Sequence, residues 1–330
     1  MSDLATVITA AERRAFEARA ACVPDVAALQ AAACDAKAAA LSELAAAFVH
    51  CAFANPEAAE AVYGALRNGR LGKENGAKLA QSTAAPLSAT FWDAFWDLQQ
   101  ERRAGAMDAR TTTSRIAALG AFMAPSLRAR AEKIAACHPK AAGPATRMPP
   151  PRLSLDEIAR QPENSLAHDF CRQIVDNKFD LEVLDRETMN LAALPPALRY
   201  LNTRILQMHD IWHLVGGFRT TVLHEIAISA FQQAQFTHGY SAMFLAVVVS
   251  GMALRGATNP DVILQTIAEA SQYGVDMPSF MAIAWEEEWH EPLHSIRARH
   301  GIVPFKGSIA ADYFEGMRPA ASVKSCRLDT

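Results

Sequence analysis

Three side chains in the stretch QMHDIWHLVGGF, residues 207–218, are of types that bind metal ions: His209, Asp210 and His213. If the stretch is helical, successive residues turn by about 100° and positions four apart sit about 40° apart. His213 then lies about 40° and Asp210 about 100° from His209, so all three project from one arc. Imidazole suits zinc, and a carboxylate completes or supports such a set. A fourth candidate ligand is Glu225, twelve residues beyond His213. On an unbroken helix that separation is about 18 Å, too far for one coordination sphere. Gly216 and Gly217 intervene, however, and glycine just past the last helical residue is the usual way a helix stops. Thr220 or Thr221 can then cap a new helix whose first turns carry Glu225 back in a helical hairpin. The bland reading makes His209 and His213 core or surface histidines with Asp210 as a hydrogen-bond partner. On spacing alone the two readings stand level.

The elements that must position these residues are helices. Residues 1 to about 137 are alanine-rich and helical in pattern. In FWDAFWDLQQERR, Phe91, Phe95 and Leu98 recur at helical spacing, which reads as a core stripe before it reads as a ligand pocket. Asn55-Pro56 has the form of an N-cap followed by proline at the first helical position. The segment from His138 to Leu153 holds five prolines and a glycine, which neither a helix nor a central strand accepts. Beyond it, helices are expected around Ser165–Asn177, from Pro195 or Pro196 to Val215, from about Thr221 through SAMFLAVVVSG, over Pro260–Gln272, and within Met277–His300. Strand signals are nearly absent. The expected fold is all-α, a multi-helix bundle with the hairpin carrying the metal motif. The organisation read from the chain is an alanine-rich helical region over 1–149, a metal-motif core over 150–305 and a tail over 306–330.

Composition narrows the function classes. The 330 residues are 51% hydrophobic and 20% charged, with a formal net charge of -3. That excludes a dedicated nucleic-acid binder, since no basic block is present. The six cysteines are scattered without a C-x-x-C pair, so they read as reduced thiols in a cytosol-like compartment. The first twenty residues lack the basic-then-apolar order of a secretory signal and carry acids that a mitochondrial leader avoids. The run from Ser241 to Leu254 is fourteen residues long, too short to span a bilayer, and reads as a core helix.

Several other patterns imitate sites. HEPLH, residues 290–294, matches the zinc-protease pattern, but Pro292 deletes a helical hydrogen bond inside it. A helix beginning at Pro292 would keep His290 and His294 off a shared face. His168-Asp169 has no second histidine four residues on and reads as a solvated helical pair. Glu286, Glu287 and Glu288 read as a solvated face, with one of them able to hydrogen-bond a ligand histidine.

The pattern H-D-x-x-H, eleven residues, then E, formed by His209, Asp210, His213 and Glu225, resembles the coenzyme Q biosynthesis protein 4 family. Tyr200 and Arg204 upstream agree with it, as does E-x-x-x-x-x-F-x-x-x-Q from Glu225 through Phe231 to Gln235. So do NSLAHDFCRQIVDN, LPPALRYLNTR and, from Trp285, WEEEW…PLHSIRARHGI. The resemblance covers roughly residues 150–303. It is weak over 40–150 and absent from the first 40. His224 stands where the family commonly has glycine. It would add a ligand, a proton donor or a supporting contact behind the ligands.

The resemblance implies an all-α homodimer with zinc held by His209, Asp210, His213 and Glu225. It implies binding of a polyprenylated quinone precursor or isoprenoid lipid at a membrane surface, alongside other ubiquinone-synthesis proteins. It places the protein in the cytoplasm, peripheral to the inner membrane in a bacterium. The implied reaction is loss of the C1 carboxyl of a polyprenylated hydroxybenzoate, with hydroxylation there, served by Asp210 and His209. Zinc has no redox chemistry, so the hydroxylation must draw on oxygen chemistry or a partner enzyme. A set with two carboxylates also tolerates iron or manganese. The apolar helices after Glu225 are expected to house the prenyl tail. The competing reading is a non-catalytic lipid-binding scaffold in which zinc is structural and closes the hairpin.

Overall fold

The computed structural model describes residues 8–35, 37–74, 79, 82–105, 107–178, 181, 186, 187, 189–255 and 259–317. The first half forms α1 (Ala10–Ala21), α2 (Val26–Cys34), α3 (Ala38–Val49), α4 (Ala59–Leu71), α5 (Ala89–Ala104), α6 (Ala109–Leu119) and α7 (Pro125–Cys137). The second half forms α8 (Leu155–Ala159), α9 (Leu166–Asn177), α10 (Pro196–Gly216), α11 (Val222–Phe236), α12 (Gly239–Arg255), α13 (Pro260–Asp276), α14 (Leu293–His300) and α15 (Tyr313–Gly316). Among the described residues there is no strand, and the fold is all-α. The expected stripe is core, with Phe91, Phe95 and Leu98 each about 1% exposed or less. No helix among the described residues is long and apolar enough to cross a membrane.

Two expectations change. The helix expected from Thr221 through the apolar run is two helices, because Thr237 takes a left-handed conformation at φ 50° and ends α11. In α12, Leu245, Ala246, Val247 and Val249 are fully buried. At Asn55-Pro56 the proline begins a short 3-10 turn and Asn55 makes no cap. The Asn55 side-chain oxygen instead accepts from Ser82 and Arg130.

The helix that matters most, α10, is held at both ends by residues far away in sequence. Its first turn has proline and no side-chain cap of its own. Glu132 of α7 supplies one, its carboxylate accepting from the backbone N–H groups of Ala197 and Leu198, both at 2.8 Å. At the other end Arg297 of α14 donates to the carbonyls of Val215 at 3.0 Å and Leu214 at 2.7 Å. A carboxylate at the N-terminus and a guanidinium at the C-terminus satisfy backbone groups a helix leaves open and match its dipole. Contacts of this kind also join the two halves of the chain. Gln99 and Arg102 donate to the Val247 carbonyl at 3.0 Å, and the Lys140 ammonium donates to the carbonyls of Gly274, Val275 and Met277 at the end of α13.

Helix α11 is buried along nearly its whole length, and α13 lies close against it. A Cβ on Gly274 would sit 2.8 Å from the Phe231 carbonyl oxygen and 2.9 Å from Ala234 Cβ, so the approach requires glycine. Between α10 and α11 the chain reverses at Gly217, which has φ 75°. Phe218 N–H donates to the His213 carbonyl at 2.9 Å, closing the helix end, and Gly216 O accepts from Phe305 N–H at 2.7 Å. Phe218 then turns inward against Phe231, Tyr273 and Phe305, with ring centres 5.0–5.7 Å apart. Residues up to Met317 pack at the same end, where Glu315 accepts from Val222 N–H at 3.0 Å and Ala311 O from the Thr221 hydroxyl at 2.7 Å.

The reversal predicts a measurable sensitivity. Alanine at 217 would be strained at positive φ, and its Cβ would lie 2.8 Å from Pro304 Cβ. Gly217→Ala should lower the unfolding free energy by about 1–3 kcal/mol, measured by urea denaturation. A loss below about 0.5 kcal/mol, the ordinary range for a tolerated surface change, would show that the reversal is not held here.

Candidate metal centre

The hairpin carries the four sequence-selected ligand candidates to one place. On α10, the ligand atoms of His209, Asp210 and His213 lie within 4.8 Å of one another. From the start of α11, Glu225 reaches both histidines: its carboxylate oxygens are 3.3 Å from His209 Nε2 and 3.4 Å from His213 Nε2. The two Nε2 atoms are 3.1 Å apart. Thr221 makes this possible by capping α11, its hydroxyl accepting from His224 N–H at 3.4 Å.

Proton counting shows what this arrangement lacks. His213 Nδ1 faces the Phe218 carbonyl at 3.3 Å, and a carbonyl only accepts, so the ring proton is on Nδ1. In the neutral ring its Nε2 then points a lone pair at His209 Nε2 and at a carboxylate. With both rings neutral, at most one hydrogen, on His209 Nε2, is available for three contacts among acceptors. A shared cation satisfies all three together. For metal–ligand distances of about 2.0–2.1 Å, the edge of a tetrahedron is about 3.3–3.4 Å. The Glu225 contacts, 3.3 Å from Oε2 to His209 and 3.4 Å from Oε1 to His213, are close to that edge, and the 3.1 Å between the two Nε2 atoms is slightly shorter. The donor set fits a divalent metal.

The electrostatics are those of a tightly coupled group. Packing pushes the Glu225 carboxyl up, but the charge of His213 and hydrogen bonds from both histidines hold it far below the usual range. Burial lowers His209, and the hydrogen bond and charge of Glu225, with the charge of Asp210, more than offset it, so its pKa is raised. Asp210 goes the other way. Burial raises it, His209 and His213 pull it down, Glu225 pushes it up, and the net shift is upward. No hydrogen bond holds Asp210 among the described residues.

The other candidates lie elsewhere. His224 turns to the hinge, where its Nδ1 accepts from Arg219 N–H at 2.8 Å and its ring sits against Phe305. Glu286 is bound bidentately by the buried Arg204, and Glu288 by Arg299 and His300, so these two acids are paired and not merely solvated. Helix α14 begins at Leu293 with Pro292 as its cap, which leaves His290 outside it. In the His168-Asp169 pair, Asp169 binds Arg172 at 3.2 Å. Gln235 caps the end of α13, donating to Gly274 O at 2.7 Å, and takes no part in the cluster. Sequence reasoning passes over Gln232, whose amide lies 2.9 Å from His209 Nδ1. The available signal is spacing: Gln232 is seven residues, two helical turns, beyond Glu225 and so shares its face. Beyond Gln232 lie Ser241 and the buried His238, whose pKa burial and the charge of His209 press down to about 3.

Comparison with known proteins agrees with the motif. Residues 144–306 match the family model described as coenzyme Q (ubiquinone) biosynthesis protein Coq4. The mitochondrial ubiquinone biosynthesis protein COQ4 homolog of Rattus norvegicus is 26% identical over 152 residues, 46% of this chain and 56% of that protein. The mitochondrial COQ4 of Eremothecium gossypii is 25% identical over 158 residues, 46% of each. The chain thus spans about half the length of the curated relatives it matches. A crystal structure of a candidate ubiquinone biosynthesis protein from Nostoc punctiforme superimposes with a TM-score of 0.50 at 23% identity, over 64% of this chain and 96% of that one. At that identity it speaks to the fold alone.

Two outcomes are expected. His213→Ala should remove most of the bound divalent metal, measured by elemental analysis of purified protein, whereas His290→Ala and His294→Ala should leave it at the wild-type level. Metal unchanged in His213→Ala would place the site elsewhere. The second concerns pH. His238 has a folded pKa near 3 against about 6.5 unfolded, so the unfolded chain binds the extra proton. Its contribution is fully present above about pH 6.5 and is lost as pH falls toward 3, at up to about 1.4 kcal/mol per unit. Urea unfolding from pH 7 to 5 should show a shallower loss of stability in His238→Gln than in the wild type. Equal slopes would show that His238 is protonated without penalty in the fold.

Proposed function

We propose, from the premise that residues 144–306 belong to the Coq4 family, that this chain acts in ubiquinone biosynthesis as a metal-assisted lyase. The substrate class is a polyprenylated hydroxybenzoate, and the reaction is loss of its C1 carboxyl. The family belongs to the ubiquinone-synthesis machinery, which makes other proteins of that pathway the natural partners. An apolar substrate of this class favours work at a membrane surface, and a homodimer is part of the same proposal.

The observation that supports turnover is the asymmetry of the site. The His213 side chain is 1% exposed, while those of His209 and Glu225 are 30% and 44% exposed. The cluster is sealed on its inner side and open on its outer side. Structural zinc sites are closed by protein ligands, whereas catalytic ones keep a position for water or substrate. A divalent ion held by His209, His213 and Glu225, with Asp210 at its edge, would supply Lewis-acid polarisation of the substrate's phenolic oxygen or carboxylate. In the step itself the bond from C1 to the carboxyl carbon breaks, carbon dioxide leaves, and the electron pair stays on C1. A proton then completes the product. Asp210 suits that delivery, because it stands beside His209 and His213 and no hydrogen bond ties its carboxyl down among the described residues. His209 serves the step beside it by holding the ion through Nε2.

One observation favours the second reading, a lipid-binding scaffold. His209, Asp210, His213 and Glu225 are together enough to fill four positions, as a structural site does. Asp210→Asn separates the two. It retains size and a neutral oxygen, so the variant should fold and bind the prenylated lipid. Product formation, read by mass spectrometry, should fall by about 100-fold or more, the scale of a lost acid–base group. A wild type that binds the lipid and turns over none of it, aerobic and metal-loaded, would give the scaffold reading the lead.

A further inference from the structure

A chain of buried polar groups runs behind the histidines, and what it does bears on the cation site proposed above. Leu198 O accepts from Asn202 Nδ2 at 2.7 Å, and Asn202 Oδ1 lies 3.2 Å from His238 Nε2. His238 Nδ1 is 2.8 Å from Ser241 Oγ. Ser241 Oγ is 3.1 Å from Gln232 Oε1, and Gln232 Nε2 is 2.9 Å from His209 Nδ1. Gln232, His238 and Ser241 are at least 96% buried, so water does not supply missing donors.

Only one order of protons gives each of these contacts a donor. Leu198 O is a carbonyl, so Asn202 must turn its NH2 to it and its oxygen to His238. His238 then donates through Nε2–H. Buried and without a carboxylate partner, it is neutral and has one ring proton, so its Nδ1 accepts. The Ser241 hydroxyl hydrogen goes to that Nδ1, which leaves Ser241 Oγ to accept from Gln232. The two ends of the Gln232 amide are alike in size and are told apart by their partners. Turned by 180°, the amide donates to Ser241 and presents its oxygen to His209. His209 must therefore donate from Nδ1–H. With the amide the other way, Ser241 donates to Gln232 and the His238 proton moves to Nδ1. Two lone pairs, on His238 Nε2 and Asn202 Oδ1, would then face each other at 3.2 Å with no hydrogen between them.

We propose that Asn202, His238, Ser241 and Gln232 are positioning residues that hold His209 in its Nδ1–H tautomer, aiming its free Nε2 lone pair at the cation site. The inference rests on the metal reading of that site. Metal-binding histidines use the second ring nitrogen in just this way, donating it to a fixed oxygen. Here the Gln232 amide oxygen serves His209 as the Phe218 carbonyl serves His213.

The test has two arms. Long-range proton–nitrogen NMR of metal-free protein labelled with 15N-histidine, assigned with His238→Gln, reads which ring nitrogen of His238 carries the proton. The expected result is a neutral ring protonated at Nε2, and a proton at Nδ1 overturns the proposal by reversing the chain. This arm uses the wild type and does not depend on any buried variant folding. The second arm measures zinc affinity by chelator competition. Gln232→Leu should bind zinc about 10–100-fold more weakly, and Gln232→Glu, which keeps an oxygen facing Nδ1, should recover most of the loss. Equal affinity in the wild type and Gln232→Leu overturns the positioning role. A wild type that takes up no zinc, manganese or iron overturns the cation site itself, an outcome the His238 tautomer distinguishes from a failure of the chain.

Discussion

Two imidazole nitrogens and one carboxylate face one another across 3.1–3.4 Å at the turn between two helices, with at most one hydrogen among them when both rings are neutral. With both rings neutral such a group is repulsive, since lone pairs and a carboxylate charge share a small volume. The fold nevertheless drives them together, through a chain reversal at Gly217 that swings Glu225 back over His209 and His213. Most of what surrounds the site serves to hold that reversal against the repulsion. A cation removes the conflict, which is why the same geometry reads as a metal centre.

The restraint comes from three directions. Glu132 and Arg297 fix α10 at its two ends, each by charged hydrogen bonds to backbone groups that would otherwise be open. Phe218, Phe231, Tyr273 and Phe305 fill the inside of the turn, and Gly274 lets α13 press against α11 from below. Behind His209 the polar chain through Gln232 leaves the ring no free rotation. Ligand groups placed on helices and supported this way are held closely enough for chemistry. His209 and Glu225 remain partly open on the outer side.

Much of this site is legible in the amino-acid order. His209, Asp210 and His213 share an arc by spacing alone, and the glycine pair announces the turn that Glu225 needs. Pro292 rules out HEPLH for a reason that acts within one helical turn. What stays hidden is long-range. Glu132 is 65 residues from Ala197, and nothing in either neighbourhood marks them as partners. Arg297 reads as part of a basic helix end. The break between α11 and α12 escapes notice because the apolar pattern continues through it, and Thr237 is not a residue that usually takes a positive φ. Gln232 is visible in principle, seven residues from Glu225, but a glutamine on an apolar face gives no chemistry until its histidine partner is known.

The central claim is that the hairpin holds a divalent ion through two imidazoles and carboxylate oxygen. X-ray absorption spectroscopy at the zinc edge of the zinc-loaded protein tests it most directly. The account predicts multiple-scattering signals of two histidine rings, with nitrogen and oxygen neighbours at about 2.0–2.2 Å and no sulfur. A first shell without imidazole, or one containing sulfur at about 2.3 Å, would contradict it.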